Sequence, residues 1–420
     1  MNFLHHTGIY ITQGSDTNNL IEALLSGELC INNIDFKHLK PAVYSDQTLK
    51  HFLEEEFLHG GTAFVSEYDR PLHHMSSGEQ KKALLNHLSF HQADCFLLDE
   101  LYDHIDLAGQ AAIKEMICLL AQTKTVIQLV HRIKDALPFI RNWIVFHQLH
   151  LIEFDDQQAW IDWIDQQKMN DSKKVLPQPI KEFPAIDGPL VMMNGVSVFY
   201  DGRPIVQDIH WTIKQGEFWQ LVGPNGTGKS TLLSLISGDN PKGYGQELFL
   251  FGRKKGSGET VWDIKKNIGY FNSSITLHFS RLDSIEKMII SGFNDSIGLY
   301  VVPSDQQLRL AKEWLHFIGL YDQRNKPIQF LPLAQQRMVL IARAMVKHPP
   351  LLILDEPTAS LDDAGVALII QMIQQIAKES SSAILYVSHS KEDGLYPEYI
   401  LALHPSNAGS IASILKNRLL

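Results

Sequence analysis

Apolar and polar positions along the chain predict alternating strands and helices. In the second half, the apolar run that includes Leu221 and Val222 reads as a buried strand, a glycine-rich turn follows, and apolar residues return at helical spacing in TLLSLI. Leu351 to Leu354 and the run SSAILYVSHS read as two more buried strands, and FLLDE and QLVHR repeat those runs in the first half. Unbroken apolar strands between helices mark a parallel sheet covered on both faces, so the chain is expected to form two α/β lobes. The stretch 165–190 has three prolines before its end and little apolar periodicity, and it reads as a linker in which Lys173-Lys174 is solvated charge. The expected layout is a domain over 1–164, this linker, and a domain over 191–420.

Composition narrows the chemistry. With 420 residues, 45% apolar and 20% charged, the chain can bury two or three cores. A net charge of −10 argues against nucleic acid as a partner. Three cysteines, Cys30, Cys95 and Cys118, have no ligand spacing and read as reduced, small apolar residues of a cytoplasmic protein. The 19 histidines, His5-His6 and His73-His74 among them, lack the spacing of a zinc or iron site. No stretch approaches the roughly 18 apolar residues of a membrane span, and the start MNFLHHTGIYITQGSD lacks the form of a signal peptide. Work at the inner face of a membrane would need another chain to hold this one there.

Gly223-Pro224-Asn225-Gly226-Thr227-Gly228-Lys229-Ser230-Thr231 is the strongest chemical signal. Strand, glycine-rich loop and helix in that order form a phosphate-binding loop, whose backbone N–H groups curl around phosphates at a helix N-terminus. Lys229 is expected to reach the β and γ phosphates and Ser230 to ligate Mg²⁺. A chance match in a chain of this length has a probability of roughly 0.01–0.02. Asp355-Glu356 ends a buried strand, where Asp355 would hold the Mg²⁺ through water and Glu356 would orient or deprotonate the attacking water. His389 ends another strand within reach of a γ-phosphate, and Tyr200, 23 residues before Gly223, is a candidate to stack on adenine.

Together these residues resemble the ATP-binding-cassette (ABC) ATPase domain over Gly195 to about Leu403. The resemblance implies a P-loop fold, with Walker A at Gly223 to Ser230, Walker B ending at Asp355, Glu356 as catalytic glutamate, a D-loop at Ala359 to Asp362, and His389 as switch histidine. Two elements depart from the family. Phe271-Asn272-Ser273-Ser274 replaces the segment with the metal-touching glutamine, and the signature LSGGQ is Leu331-Pro332-Leu333-Ala334-Gln335.

The first half repeats these elements in altered form. Asp99, Glu100 and Asp106 each lie 256 positions before Asp355, Glu356 and Asp362, Ser76 lies 256 before Pro332, and His131 lies 258 before His389. Aligning ALLSGE with SLISGD, an offset of 211, places Thr12 to Leu20 on the phosphate loop, with Asn18 where Lys229 stands. The first copy is therefore expected to lack about 45 residues in its helical subdomain, to lack the antiparallel element that carries the aromatic, and to bind ATP poorly.

Paired cassettes of the family hold each ATP between the Walker motifs of one and the signature of the other. That arrangement implies one competent site, joining Gly223–Ser230, Asp355, Glu356 and His389 to Ser76, Ser77 and Gly78. The opposite site would lack both the lysine and the signature serine. The second copy is further similar to the group of molybdate-transport ATP-binding and photorepair proteins, in YGQELFLFGRKKGSGETVWDIKKNIGY and SGFNDSIGLY. ATP and Mg²⁺ are the expected ligands, ATP hydrolysis the expected activity, and a membrane permease one candidate partner. Two alternatives are a translation factor of the ABC-F type, opposed by the short linker and acidic charge, and a non-hydrolysing interaction module, opposed by Glu356 and His389.

Overall fold

A computed structural model describes residues 6–12, 15, 17–31, 39–59, 71–90, 93–103, 105–147, 150–154, 160, 175–272, 283–296, 298–299, 301–389 and 392–417. His5, Lys173-Lys174, Ser273-Ser274 and three positions of the first copy's loop (13, 14 and 16) lie outside the described residues. Contacts divide the chain into two units, Met1–Asn170 with Ala359–Val366, and Asp171–Thr358 with Ala367–Leu420.

In the first unit, β1 (Thr7–Ile11), β2 (Pro41–Tyr44), β3 (Cys95–Leu98), β4 (Thr125–Val130), β5 (Asn142–His147) and β6 (His150–Glu153) form one sheet in the order β2-β3-β4-β1-β5-β6. Neighbouring strands pair in parallel, except β5 with β6, which are antiparallel. Successive side chains in a strand point to opposite faces, so each apolar run divides between two cores. Ile9, Ile11, Leu97, Ile127 and Leu129 pack with Leu20, Ile21 and Leu24 of α1 (Thr17–Leu25). Tyr10, Phe96, Leu98, Val126 and Val130 pack on the other face with Leu84 and Leu88 of α3 (Ser77–Phe90) and Ile113 and Ile117 of α4 (Leu107–Leu120). α2 (Asp46–His59) follows β2. The three cysteines are free thiols; Cys95 is a core residue as expected, whereas Cys30 is exposed because it follows the turn that ends α1.

The second unit repeats that sheet. β12 (Ile268–Asn272), β13 (Leu351–Asp355), β14 (Ala383–Ser388), β9 (Phe218–Val222), β15 (Tyr399–His404) and β16 (Ile411–Lys416) lie in the equivalent order. An antiparallel sheet, β11-β10-β7-β8, is built from β7 (Val191–Tyr200), β8 (Arg203–Ile213), β10 (Leu248–Leu250) and β11 (Arg253–Lys254). The helices are α5 (Lys229–Ile236), α6 (Val261–Lys265), α7 (Ile285–Ser291), α8 (Asp305–Phe317), α9 (Leu333–Met345) and α10 (Asp363–Glu379), whose first turn counts with the first unit. α7 closes on α9 so tightly that a Cβ on Gly292 would meet the Arg343 carbonyl oxygen at 2.1 Å. Residues 175–190 form no helix or strand, yet Leu176 is buried and its amide donates to Glu379 Oε2 at 2.9 Å.

Register aligns the two sheets residue by residue. β1 and β9 differ by 211 positions, β3 and β13 by 256, and β4 and β14 by 258. Pro41 pairs with Cys95 and Ile268 with Leu351, which sets β2 and β12 apart by 227. The 45-residue shortfall, which the sequence placed wholly in the helical subdomain, is therefore divided. Sixteen residues fall between α1 and β2, where the second unit carries β10, β11 and α6, and 29 fall between β2 and β3.

Candidate functional site

The phosphate loop leaves β9 at Gly223 and enters α5 at Lys229. Gly228 has φ +93°, and a Cβ there would meet Val206 Cγ1 at 2.5 Å, so this position requires glycine. The Thr227 hydroxyl donates to the Pro224 carbonyl at 2.8 Å and pins the loop across its mouth. Pro224, Asn225 and Gly226 are exposed, while Lys229 is buried and turns back into the loop. Its Nζ donates to the Gly223 and Pro224 carbonyls at 2.6 and 3.0 Å and lies 3.4 Å from His389 Nδ1. Ser230 is exposed in the first turn of α5, followed by the partly buried Thr231.

Asp355 and Glu356 stand at the end of β13, between β12 and β14. Burial first, then the Glu356 carboxylate, pushes the Asp355 carboxyl up to about 6, against the pull of Lys229 and His389. Asn272 Nδ2 donates to Asp355 Oδ2 at 2.9 Å. Glu356 adopts φ +51°, which turns its carboxylate so that Oε1 lies 2.5 Å from His389 Nε2. Lysine, histidine and glutamate thus form one contiguous polar row. Ser230 and Asp355 line a cavity of about 470 Å³ with Tyr270 and Asn272, and two oxygen donors on one cavity fit a hard dication such as Mg²⁺.

The other expected residues fall apart from this row. Tyr200 is half exposed at the end of β7, its hydroxyl accepting from Asn240 Nδ2 at 2.9 Å. Ser76, Ser77 and Gly78 open α3 in the first unit. There the Ser76 hydroxyl donates to Glu79 Oε2 at 2.9 Å, and the Ser76 amide does so at 2.8 Å, which makes a capping box. Pro332 caps α9 with no side-chain hydrogen bond. Among the described part of the first copy's loop, Thr12 N and Oγ1 and Ser15 Oγ donate to the Phe146 carbonyl at 3.1, 3.1 and 3.3 Å, and Asn18 is exposed in α1.

The repeat also preserves contacts that sequence spacing alone did not reveal. Arg337 of α9 donates to the Pro357 carbonyl at 2.8 Å, and Lys81, its counterpart 256 positions earlier, donates to the Glu100 and Asp103 carbonyls at 2.9 and 3.0 Å. Glu100 shares the left-handed backbone of Glu356, with φ +46°. Asp106 and Asp362 each accept an amide three residues on at 2.8 Å. Asn272, Tyr270 and Asn240 were not read as site residues. A signal existed for the first two: polar residues two apart at the end of a buried strand share one face.

A loop of this geometry between a central strand of a mainly parallel sheet and a helix defines a P-loop α/β fold. A family model described as ABC transporter matches residues 206–359. The chain is 40% identical over 337 residues to the ABC transporter ATP-binding protein ModF of Escherichia coli (strain K12), spanning 77% of this chain and 68% of that protein. It is 29% identical over 333 residues to an uncharacterized ABC transporter ATP-binding protein of Schizosaccharomyces pombe, spanning 76% of this chain and 66% of that one. The chain belongs to the ABC transporter ATP-binding family. Two solved structures of low identity share its fold along nearly the whole length. A chain in a model of ribosome-bound archaeal Pelota and ABCE1 has TM-score 0.63 and 16% identity, covering 98% of this chain and 75% of that chain. A chain in the complex of the archaeal ribosomal stalk protein aP1 with the ribosome recycling factor aABCE1 has TM-score 0.61 and 15% identity, covering 99% and 86%.

Proposed function

We propose that this chain is an ATPase with one competent site, in which the second domain supplies the phosphate loop, Asp355, Glu356 and His389, and the first domain supplies Ser76, Ser77 and Gly78. The contiguous row Lys229–His389–Glu356 carries the reading. Loop amides and Lys229 hold the β and γ phosphates, and a phosphate offers Lys229 a stronger partner than the two carbonyls it now meets. Glu356 orients the attacking water and takes its proton, while His389 holds that carboxylate and reaches the γ-phosphate. Ser230, and Asp355 through water, would hold Mg²⁺, which when bound would supply charge neutralisation at the phosphates. Tyr200 stacks on the base. The first domain's own loop, with Asn18 in place of lysine, is degenerate, so its role is to complete the working site.

Among the described residues no helix is long and apolar enough to cross a membrane, and the partner of this reading for any transport role is a membrane permease. We place the protein in the cytoplasm, peripheral to the inner membrane when such a partner holds it. A link to molybdate transport rests on resemblance alone. The experiment is equilibrium binding of a slowly hydrolysed ATP analogue with Mg²⁺, counting nucleotides per chain, for the wild type and Lys229→Ala. One nucleotide, lost in the variant, together with turnover abolished by Glu356→Gln, is the expected result. Two nucleotides, binding that survives Lys229→Ala, or unchanged turnover in Glu356→Gln would overturn the assignment.

A further inference from the structure

Asp355 accepts a hydrogen bond from the neighbouring strand. β12 pairs in parallel with β13 so that Asn272 stands opposite Asp355 and Tyr270 opposite Ile353. Phe271, between them, is buried in the core, and the alternation of a strand places Tyr270 and Asn272 together on the other face. Asn272 Nδ2 reaches Asp355 Oδ2 at 2.9 Å, and the Tyr270 phenol lies beside them, where burial and then the neighbouring Asp355 charge raise its pKa. All three residues line the cavity that Ser230 opens onto.

The first unit supplies the contrast within the same chain. Its register puts Val43 and Ser45 where the second unit has Tyr270 and Asn272, and Asp99 where it has Asp355. Valine has no donor. Ser45 instead bonds Thr48, its Oγ lying 3.0 Å from Thr48 Oγ1 and 3.1 Å from Thr48 N, at the start of α2. Asp99 is 7% exposed, and its Oδ1 is buried without a hydrogen-bond partner. The same strand-end carboxylate thus accepts a hydrogen bond from Asn272 in one unit, whereas Ser45, at the equivalent register in the other, bonds Thr48 instead.

We propose that Asn272 and Tyr270 are positioning residues that hold the Asp355 carboxylate in one orientation toward Ser230, and that this grip separates the metal-competent copy of the strand end from the incompetent one. The inference rests on the reading of Asp355 as the acid on the Mg²⁺ side. An amide and a phenol each donate to a carboxylate without adding charge, so they restrict its rotation while leaving its negative charge available to a cation. Hydrogen bonds to a charged group are the stronger kind, so losing one should weaken metal-linked binding about tenfold.

The test is equilibrium binding of the slowly hydrolysed ATP analogue to the full chain, in Mg²⁺ and in EDTA, and the readout is the affinity gained from the metal. Asn272→Leu and Tyr270→Phe should each cut that gain about tenfold while leaving affinity in EDTA unchanged. Asn272→Gln, which keeps the amide, should restore part of it. Tyr270→Phe removes only a hydroxyl, so it keeps the test decisive should Asn272→Leu fail to fold. Asp355→Ala separates the two possible failures. If it abolishes the metal gain while Asn272→Leu and Tyr270→Phe retain it, the positioning role is wrong and the reading of Asp355 stands. If Asp355→Ala itself retains the metal gain, the reading of Asp355 fails first. A loss of EDTA affinity equal to the loss in Mg²⁺ would mark a merely structural role and overturn the proposal.

Discussion

Replacing Asp99 by asparagine should make the first domain more stable at alkaline pH. Burial above all, and then Asp103 and Asp46, raise the Asp99 carboxyl to about 7, although the Glu100 backbone amide and Lys81 pull the other way. Glu100 beside it is also raised to about 7, by burial and by Asp99. An unfolded aspartate titrates near 3.9, so between about pH 4 and 7 the folded chain binds the extra proton and stability falls as pH rises. At pH 8 the cost has accrued in full. Three pKa units at about 1.4 kcal/mol each give about 4 kcal/mol, and placing an amide in the same pocket returns about 1 kcal/mol of that. The net expectation is about 3 kcal/mol in favour of Asp99→Asn at pH 8, passing through zero near pH 5 and reaching about 1 kcal/mol against the variant near pH 4. Hydrogen exchange of peptides covering β3 and β4 in the full chain, in EDTA and mild urea, reads this unit separately from the other. The variant should exchange about 100-fold more slowly at pH 8, after correction for the intrinsic pH dependence of exchange. Faster exchange than wild type at pH 8, or an equal difference at pH 4.5 and pH 8, would refute the reasoning.

Two further outcomes are expected. Glu79→Gln removes a carboxylate that takes up the Ser76 hydroxyl and repels phosphate, so it should tighten binding of the ATP analogue about three- to tenfold, measured by titration; weaker binding would argue against Ser76 in the site. His348 is held neutral by burial, its pKa lowered to about 4, whereas an unfolded histidine titrates near 6.5. The unfolded state therefore binds more protons between those values, and stability drops as pH falls through that window. His348→Gln should remove about 2 kcal/mol of the acid-induced loss between pH 7 and 4.5, and parallel melting curves for variant and wild type would rule this out.

Short motifs were legible in the sequence because their parts are neighbours in the chain. Gly223 to Thr231 makes its own loop, Asp355-Glu356 ends its own strand, and constant spacing exposed the duplication, since a repeated fold must repeat its strand ends. Both sheets follow from apolar runs flanked by helices, which have one economical burial. Ser76 was legible as a helix start, but its engagement by Glu79 was not, because the capping box lies in a rotamer choice.

What tertiary structure alone decided is which separate segments meet. Parallel strands joined by long crossovers carry no local rule for register, so the pairing of Asn272 with Asp355, 83 residues apart, emerged only when two packed faces were satisfied at once. The same register divided the missing residues of the first copy between two insertions. The sequence by itself determined that a phosphate loop, a strand-end acid pair and a duplicated α/β sheet are present; the packed sheet decided which of the two carboxylates meets a side-chain donor from the neighbouring strand, because a buried acid is defined by the strands on either side of it.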